Sequence, residues 1–452
     1  MAMRFRILSL ALIGLLIVPS SSAQSVISFD DAVQVALEQN VTLRRARNNV
    51  DLQSSSLTQS KAQRLPNFNL SSNTGRNWGL QFDQTTGTLQ TTSSDRFSLN
   101  ASSSVTLFNG FSIVSGIDQA RSNLAAQEAA YSRSEQTVVF TVISQYLQVI
   151  LDQEQIRIRE EDLASQVKQL ERIVEFVRVG QRPISDQYAQ EASAANAEAT
   201  LLTAQRALQL SETRLISTLQ LDPLSAYSFA APSSDQISLA ARTYNPDDLL
   251  RAAYEARPDL SAQEYSIQAA EAGITIAKSS SMPRVSMSGG YGTSYSSFGR
   301  NPLTGMKAGF GSQLSDNRSE NIGISVSIPI FNRFQTRSSV ERAQIQLSNA
   351  NLDMENLQNS IALDVRQAYL DYQTAVKRLE VTEKQVRSAR QALEVEQARY
   401  DVASSTLVEL SQARANFVSA ESGRVQAIYQ FHLQHRLIEY YQGVLNPAET
   451  LF

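Results

Sequence analysis

The feature that most constrains the fold is an internal duplication of the chain. FDDAVQVALEQN at 29–40 recurs in altered form as PDDLLRAAYEAR at 246–257, an offset of 217 residues. The offset has grown to 223 where Phe108–Asn109 matches Phe331–Asn332, as if the second copy had gained six residues in a loop. A chain built twice from one design has to bury the same faces twice. The duplication therefore predicts two similar halves packed side by side.

Two long segments without a strand signal carry the same helical seam in both copies. In the first copy the seam repeats every seven residues, at Val142, Val149, Ile156, Leu163, Leu170 and Val177. Adding 223 gives Val365, Tyr372, Leu379, Val386, Leu393 and Tyr400, all of them apolar or aromatic. A repeat of seven is the spacing of one helix face. It predicts long helices near 112–179 and 333–402, each about 100 Å long at 1.5 Å per residue.

The remaining segments complete each copy. We expect a helix pair over 30–64 and a shorter helix over 184–221 in a first repeat spanning 24–245. The second repeat, 246–445, has the same parts over 246–281 and 406–444, and 446–452 forms a tail.

Four stretches alternate between apolar and polar residues and predict strands near 67–80, 96–108, 284–298 and 320–331. The loops between them, 81–95 and 299–319, are polar. Aromatic residues lie toward the loop ends: Trp78, Phe82, Tyr291, Tyr295 and Phe298. The pattern is typical of transmembrane β-strands. An amphipathic sheet on a soluble core would alternate in the same way, so alternation alone leaves both interpretations open.

Closure of the sheet favours the membrane interpretation with several chains. Four strands cannot close into a barrel, and open sheet edges cannot lie in lipid. Two chains would supply eight strands, too narrow for an open lumen, whereas three would supply twelve and leave a channel. The predicted fold is mainly α with a β-barrel contribution. Its barrel-to-helix joints are Asn109 and Gly110 in the first copy, and Pro329 and Asn332 in the second.

The first residues and the composition restrict location and chemistry. Residues 1–23 combine Arg4 and Arg6, an apolar stretch and small residues, which predicts a signal peptide cut after Ala23. Without it the charge is 38 − 44 = −6, which argues against a nucleic-acid partner. The chain has no Cys, so disulfides and thiol catalysis are excluded. His432 and His435 have no clustered acids to complete a metal site. We therefore expect neither an enzyme nor a cofactor.

The ordered repeat resembles the TolC family of outer-membrane efflux channels. The segments that carry the resemblance are SFDDAVQVALEQN, LPNFNLS, LFNGFS and the paired helical turns, and it covers about 28–445. The resemblance implies a homotrimer with a twelve-stranded barrel in outer-membrane lipid and an α-helical tunnel in the periplasm. It also implies docking to a periplasmic adaptor protein and an inner-membrane pump, and export of drugs, toxins, metals or proteins.

The two helical turns, 178–190 and 400–413, hold the candidate pore entrance. Asp186 and Glu409 align at the offset of 223, and a ring of such acids in a trimer would favour cations. Helix capping is the competing interpretation, because Thr406 to Glu409 reads as a capping box. The resemblance places Gln412 where the family often has a second acid and matches Tyr400 to its aromatic residue. Ser405 replaces the family's basic residue, and Arg182 is the candidate substitute.

The leading hypothesis is a passive channel of a tripartite export system. A periplasmic adaptor or a coiled-coil surface protein would also use long helical hairpins, but neither needs four lipid-facing strands. A secreted enzyme with helical decoration is disfavoured because no catalytic constellation is present.

Overall fold

The computed structural model describes residues 25–83, 87–231, 240–301 and 304–445. The predicted signal peptide and the tail 446–452 lie outside these residues.

The helices come in pairs of equal length, one in each half of the chain. The first half contains α1 (Phe29–Gln39), α2 (Val41–Ala62), α3 (Ser112–Arg178) and α4 (Ile184–Leu219), with 11, 22, 67 and 36 residues. The second half contains α5 (Pro246–Ala256), α6 (Pro258–Ser279), α8 (Gln335–Asp401) and α9 (Leu407–Gln442), with the same four lengths. The short α7 (Phe310–Asp316) has no counterpart among the described residues.

The helices form a wall one layer thick. Toward the helical turns the packing order is α4, α3, α9, α8, and toward the sheet it is α2, α3, α6, α8. In both halves of the wall α8 is one edge, and α2 or α4 is the other. Except midway along the wall, where α1 packs on α3 and α4 and α5 packs on α8 and α9, a single layer leaves each long helix with two broad faces that its own chain does not cover.

The seam residues bury the joints between the long helices and their neighbours. In α8, five of the six seam positions are buried: Val365, Tyr372, Leu379, Val386 and Tyr400. In α3 only Val142 and Val149 are buried, and the other four are half-buried. A large cluster of buried apolar residues lies midway along the wall, where residues of α1, α3 and α4 surround Tyr146. The single hydrogen of its hydroxyl is shared between the backbone oxygens of Ala230 (2.8 Å) and Ile27 (3.1 Å).

The sheet is antiparallel and open, in the order β2, β3, β5, β6. Its strands are β2 (Asn67–Asp83), β3 (Thr88–Asn109), β5 (Arg284–Ser296) and β6 (Ser319–Ser327). Two three-residue strands, β1 (Ser25–Ile27) and β4 (Tyr227–Phe229), pair in parallel beside α1. They are too short to show any periodicity, and the sequence did not predict them.

Three details of the predicted sheet are wrong. The loop predicted over 81–95 is mostly strand, because Trp78, Leu80, Phe82 and Leu89 continue the alternation among polar residues. The last strand ends at Ser327 rather than near 331, two residues before Pro329, which has no N–H to donate to a ladder. The polar loop predicted over 299–319 contains α7.

The joints between strand and helix use left-handed backbone. At the first joint the Asn109 side chain accepts from Ile113 N (3.2 Å), an N–H of the first turn of α3, whose N-cap residue is Phe111. Gly110 has φ 64°, and a Cβ there would lie 2.6 Å from Met282 Cβ, so only glycine fits. At the second joint Asn332 Nδ2 donates to Thr336 Oγ1 (2.5 Å), and Phe334 adopts φ 61°.

Among the described residues, no helix combines the length and the apolar character needed to cross a membrane.

Candidate functional site

The two helical turns at the far end of the wall share one backbone geometry. Gly180 ends α3 with φ 76°, and Ala403 ends α8 with φ 58°. In each turn a backbone N–H reaches back five residues at 2.8 Å, from Gln181 to Phe176 O and from Ser404 to Arg399 O. This is the Schellman ending of a helix, which favours glycine at the left-handed position. The second turn uses alanine there, at a steric cost of about 1–2 kcal/mol.

Arg182 crosses from the first turn to the second. Its guanidinium carbon lies 4.6 Å from the centre of the Tyr400 ring, and its Nη2 donates to Tyr400 O (3.4 Å). Its Nη1 also lies 4.0 Å from Asp186 Oδ2 on the following helix. The predicted site residues Arg182, Tyr400 and Asp186 are thus brought together, and one side chain links the two hairpin ends.

Tyr400 is the buried centre of the contact between the turns. It packs with Ile173, Leu407 and Leu410, and only 2% of its surface is exposed. Burial raises the pKa of its phenol, and the nearby Arg182 charge opposes that rise. The tyrosine therefore stays neutral, and it presents the face of its ring to the Arg182 cation.

Glu409 caps its own helix. The Thr406 hydroxyl accepts from Glu409 N (3.2 Å), and the Glu409 carboxylate accepts from Thr406 N (2.9 Å), so the predicted capping box is present. The Thr406 backbone hydrogen bond is the main reason that the pKa of Glu409 lies below its ordinary value, and the Ser405 and Thr406 hydroxyls add to it. Asp186 occupies the corresponding position of α4, where Pro183 gives no side-chain cap.

Ser405 connects Glu409 to a second acid that the sequence did not single out. Its buried hydroxyl lies 2.8 Å from Glu409 Oε2 and 2.7 Å from Glu396 Oε2. A hydroxyl has one hydrogen to donate, so the two carboxylates share it. Glu396 is in turn paired with Arg399 at 2.6 Å. Ser405, which stands where the resemblance implies a basic residue, therefore serves to hold the two acids in place.

Asp186 and Glu409 line separate clefts within one protomer, and Gln412 lies between them. A cleft of about 580 Å³ between α4 and α9 contains Asp186 and Gln412. A second cleft, between α8 and α9, contains Gln412 and Glu409. The Gln412 amide donates to Asn416 (3.0 Å). One protomer alone therefore does not gather the two acids at a single point.

A half-buried acid and base lie deeper in the wall, between α3 and α9. Burial raises the pKa of Asp162, and the Arg414 charge opposes that rise. Burial also lowers the pKa of Arg414, against the opposite effect of Asp162. The two lie 252 residues apart in the chain, so no local spacing could have pointed to the pair.

The two histidines lie three residues apart on α9. No group of three His, Cys, Asp or Glu side chains that could hold a metal ion occurs in the parts of the chain that are described. His432 is buried in α9 beside Phe431, and burial lowers its pKa to about 4.

In this chain a one-layer helical wall is joined to an open amphipathic sheet, and the joints contain residues with left-handed backbone conformation. This is the architecture of an outer-membrane channel protomer. The chain belongs to the outer membrane efflux protein family, whose model matches residues 32–219 and 249–437. The match falls twice, once in each half of the duplicated chain.

The chain is similar to named members of this class over most of its length. It is 24% identical to the outer membrane protein TolC of Vibrio cholerae serotype O1, over 87% of this chain and 86% of that protein. It is 21% identical to the outer membrane efflux protein BepC of Brucella suis biovar 1, over 88% and 81%.

Solved structures show the same fold. The Campylobacter jejuni CmeC outer membrane channel superposes with a TM-score of 0.79 at 16% identity, covering 94% of this chain and 87% of that one. The outer membrane protein VceC of Vibrio cholerae gives 0.75 at 19% identity, covering 92% and 96%. The expected relationship to outer-membrane efflux channels is confirmed, and the adaptor and enzyme alternatives are not favoured.

Proposed function

We propose that three copies of this chain form a passive export duct of a tripartite efflux system. The observation that carries the proposal is a matching pair of free edges. The sheet ends at β2 on one side and β6 on the other, and the helical wall ends at α2 and α4 on one side and α8 on the other. Because β6 and β2 run in opposite directions, the edges of neighbouring copies can pair antiparallel and close a barrel of twelve strands.

The outer side of α8 supports lateral assembly. Six exposed apolar residues lie along it: Ile345, Leu352, Leu363, Leu370, Val381 and Val395. Their spacings of 7, 11 and 14 residues keep them on one helical face. The opposite edge carries exposed apolar residues as well: Val41, Leu52, Ile184, Tyr188, Leu202 and Leu210. An apolar stripe of this length on a folded protein indicates an interface.

The strands support insertion in outer-membrane lipid. Phe68, Leu70, Ile322, Ile324 and Val326 are exposed on the same face of the sheet. A closed barrel would turn this face to the hydrocarbon and leave the polar Ser, Asn and Thr face toward a watery lumen. The helical wall would then continue into the periplasm as a tunnel.

The turns would form the periplasmic entrance, where the family implies contact with an adaptor and an inner-membrane pump. In a trimer Asp186 and Glu409 supply six carboxylates, which would favour cations in a narrow pore. The link from Arg182 to Tyr400 would hold the two hairpins of each protomer together and keep the entrance narrow. Energy for transport would come from the pump.

Single-channel recording in planar bilayers tests this function. The native protein should form cation-preferring channels, and the double variant Asp186→Asn with Glu409→Gln should lose much of that preference. Glu175→Gln is the matched control, because Glu175 pairs with Arg178 on the outside of α3 near the same turn. Absence of any conductance from purified trimers would refute the duct. Unchanged selectivity in the double variant would show that the two acids do not select ions, and that their roles are limited to the helix cap of Glu409 and the ion pair of Asp186.

A further inference from the structure

The β2–β3 hairpin extends past the rest of the sheet as a two-stranded ribbon. Pairing between β3 and β5 ends at Arg96 and Ser296, whereas pairing between β2 and β3 continues to Asp83 and Thr88. Above that level β3 has no third strand beside it among the described residues. The ribbon is therefore a surface that the protomer leaves open.

One face of the ribbon is apolar. Trp78, Leu80 and Phe82 alternate along β2, Leu89 lies opposite Phe82, and all four are exposed, Trp78 by 77%. Below them on the same face, Arg76 and Asp95 form a two-pronged ion pair. A charge pair on the outer face of a barrel lies at or beyond the edge of the hydrocarbon. The apolar ribbon thus stands outside the lipid core and needs another cover.

At the other edge of the sheet, α7 takes the place of missing strand. β6 begins at Ser319, level with Gly292, although β5 continues to Ser296. Backbone groups on the free edge of β5 are hydrogen-bonded instead to side-chain amides of α7 and of the residue after it. Gln313 donates to Ser296 O (2.9 Å) and accepts from Ser296 N (3.0 Å), and Asn317 donates to Ser294 O (2.7 Å).

α7 also folds onto the apolar face of the sheet. Thr293 donates its hydroxyl hydrogen to Leu314 O (2.7 Å), and the Phe310 ring lies 5.5 Å from that of Phe97 and 5.0 Å from that of Tyr295. The Phe310 side remote from the sheet stays open, so that the residue is 51% exposed, and the nearby Met306 is 68% exposed. This edge therefore presents a second uncovered apolar surface.

We propose that α7 of each protomer packs against Trp78, Leu80 and Phe82 of the next protomer and seals the barrel above the short strand β6. This inference rests on the trimer of the proposed function. It adds a contact between subunits that a helix makes above the level at which the strands stop pairing. Both open surfaces, the ribbon and the exposed side of α7, would then be covered by a second copy of the chain.

Register supports the contact. Across the sheet, Ser319 is level with Ser71 of its own protomer, and the strand tops step down from β2 to β6. With strands about 4.8 Å apart and tilted by about 40°, four strands advance the register by about five residues. Ser319 then lies beside Arg76 of the neighbouring copy. Trp78, Leu80 and Phe82 of that copy rise above β6, where α7 is.

Cysteine cross-linking tests the contact on a chain that has no native cysteine. The test variant carries Leu80→Cys and Met306→Cys and is treated with a short bifunctional maleimide. The reference variant carries Leu202→Cys and Val381→Cys, at matching distances from the turns on the α4 and α8 edges. Both should give covalent dimers and trimers on denaturing gels, and each single-cysteine variant should give no trimer.

The outcomes separate the two proposals. Cross-linking of the reference pair alone would keep the trimer and overturn the α7 contact. If neither cysteine pair cross-links, the two edges are not next to a second protomer, and both the trimer and the α7 contact are overturned.

Trp78 gives an independent measurement, because it is the only tryptophan of the chain. In trimers reconstituted in vesicles, acrylamide should quench Trp78 at least twofold more efficiently after the double change Met306→Ser and Phe310→Ser. Gly305→Ser is not a suitable control, because Gly305 has φ 67°. Ser312→Ala, a small change within α7, should leave quenching unaltered. Strong quenching by brominated lipid, with no response to the double change, would show that lipid covers Trp78 and would overturn the contact.

Discussion

At the residue scale, Arg182 is the side chain that couples the two halves of the candidate entrance. Its guanidinium stacks on the Tyr400 ring, bonds the Tyr400 carbonyl and lies near Asp186. Tyr400 packs against Ile173, Leu407 and Leu410, so the cation contacts a ring that is held in a buried cluster. A change at Arg182 should therefore act on the distance between hairpins rather than on either helix.

Removal of this cation should loosen the entrance. Arg182→Gln loses a partly buried cation–π contact of about 1 kcal/mol, which is about a fivefold shift toward separated hairpins. We expect a higher open probability in planar bilayers. Arg178→Gln is the control, because Arg178 pairs only with Glu175 of its own helix in the contacts described. Equal gating in native protein and Arg182→Gln would remove the latch role.

The left-handed alanine of the second turn predicts a stabilising substitution. Ala403 adopts φ 58°, where a Cβ is strained, whereas the first turn has Gly180 at φ 76°. Ala403→Gly should stabilise the turn by about 1 kcal/mol and slow local hydrogen exchange about fivefold. Gly180→Ala should have the opposite effect at the first turn. Faster exchange in Ala403→Gly would contradict the strain.

The capping carboxylate predicts a dependence on pH. The folded-state pKa of Glu409 lies below its ordinary 4.5, so its stabilisation is complete above that value and is lost as pH falls through the folded-state pKa. Hydrogen exchange of the α9 N-terminus, corrected for intrinsic rates, should accelerate below pH 4.5. Glu409→Gln should remove this dependence. An unchanged acid response in that variant would assign it to another group.

Sequence spacing is most informative at the residue scale where the chemistry is local. The capping box needs only a spacing of three, and Gly110 and Asn109 act within one turn. Ser405 was missed as a shared donor because Glu396 reaches it from the preceding helix. Sequence could suggest Arg182 as a candidate residue, but it could not predict its contact with Tyr400, because only the fold brings residues 182 and 400 together.

At the element scale, the heptad seam and the exposed stripe of α8 occupy different faces of one helix. The seam residue Tyr372 is buried, whereas Leu363 and Leu370 are exposed. The seam could be predicted because it repeats in both copies. The stripe was not recognised, since its mixed spacings of 7, 11 and 14 resemble scattered surface leucines until the buried face is known.

The stripe predicts which surface substitutions disrupt assembly. Leu363→Asp should desolvate a carboxylate in the lateral interface and release monomers in detergent, because an unpaired buried charge is strongly unfavourable. The matched control is Val167→Asp on α3, an exposed apolar position on a helix flanked by α4 and α9 of its own chain. Size-exclusion chromatography distinguishes the two. A trimer of unchanged size with Leu363→Asp would place the interface elsewhere.

Strand limits were the weakest element-level prediction. The Thr, Ser and Gln content of the upper hairpin fits both an exposed loop and the polar face of a strand, so composition alone predicts a loop there. The shortening of β6 follows from Pro329, but the replacement of its upper part by α7 depends on Gln313 reaching the β5 edge. Where side-chain amides replace the backbone of a neighbouring strand as hydrogen-bond partners, the sequence shows no periodic pattern.

At the scale of the whole molecule, the proposed ring of three chains would cover surfaces that one chain leaves exposed. The two halves have helices of identical lengths, and the family model matches each half separately. Yet the sheet remains open, and apolar residues line both lateral edges. Sequence duplication predicted the paired halves. The proposed number of copies, three, follows from the number of strands that a barrel with an open lumen needs.

The proposed trimer is tested most directly by the molar mass of the detergent-extracted protein, measured by light scattering corrected for bound detergent. We expect three chains per particle, which would supply twelve strands and close both the barrel and the helical wall. A monomer that stays in solution without detergent would leave four strands unclosed and contradict the proposed trimeric channel.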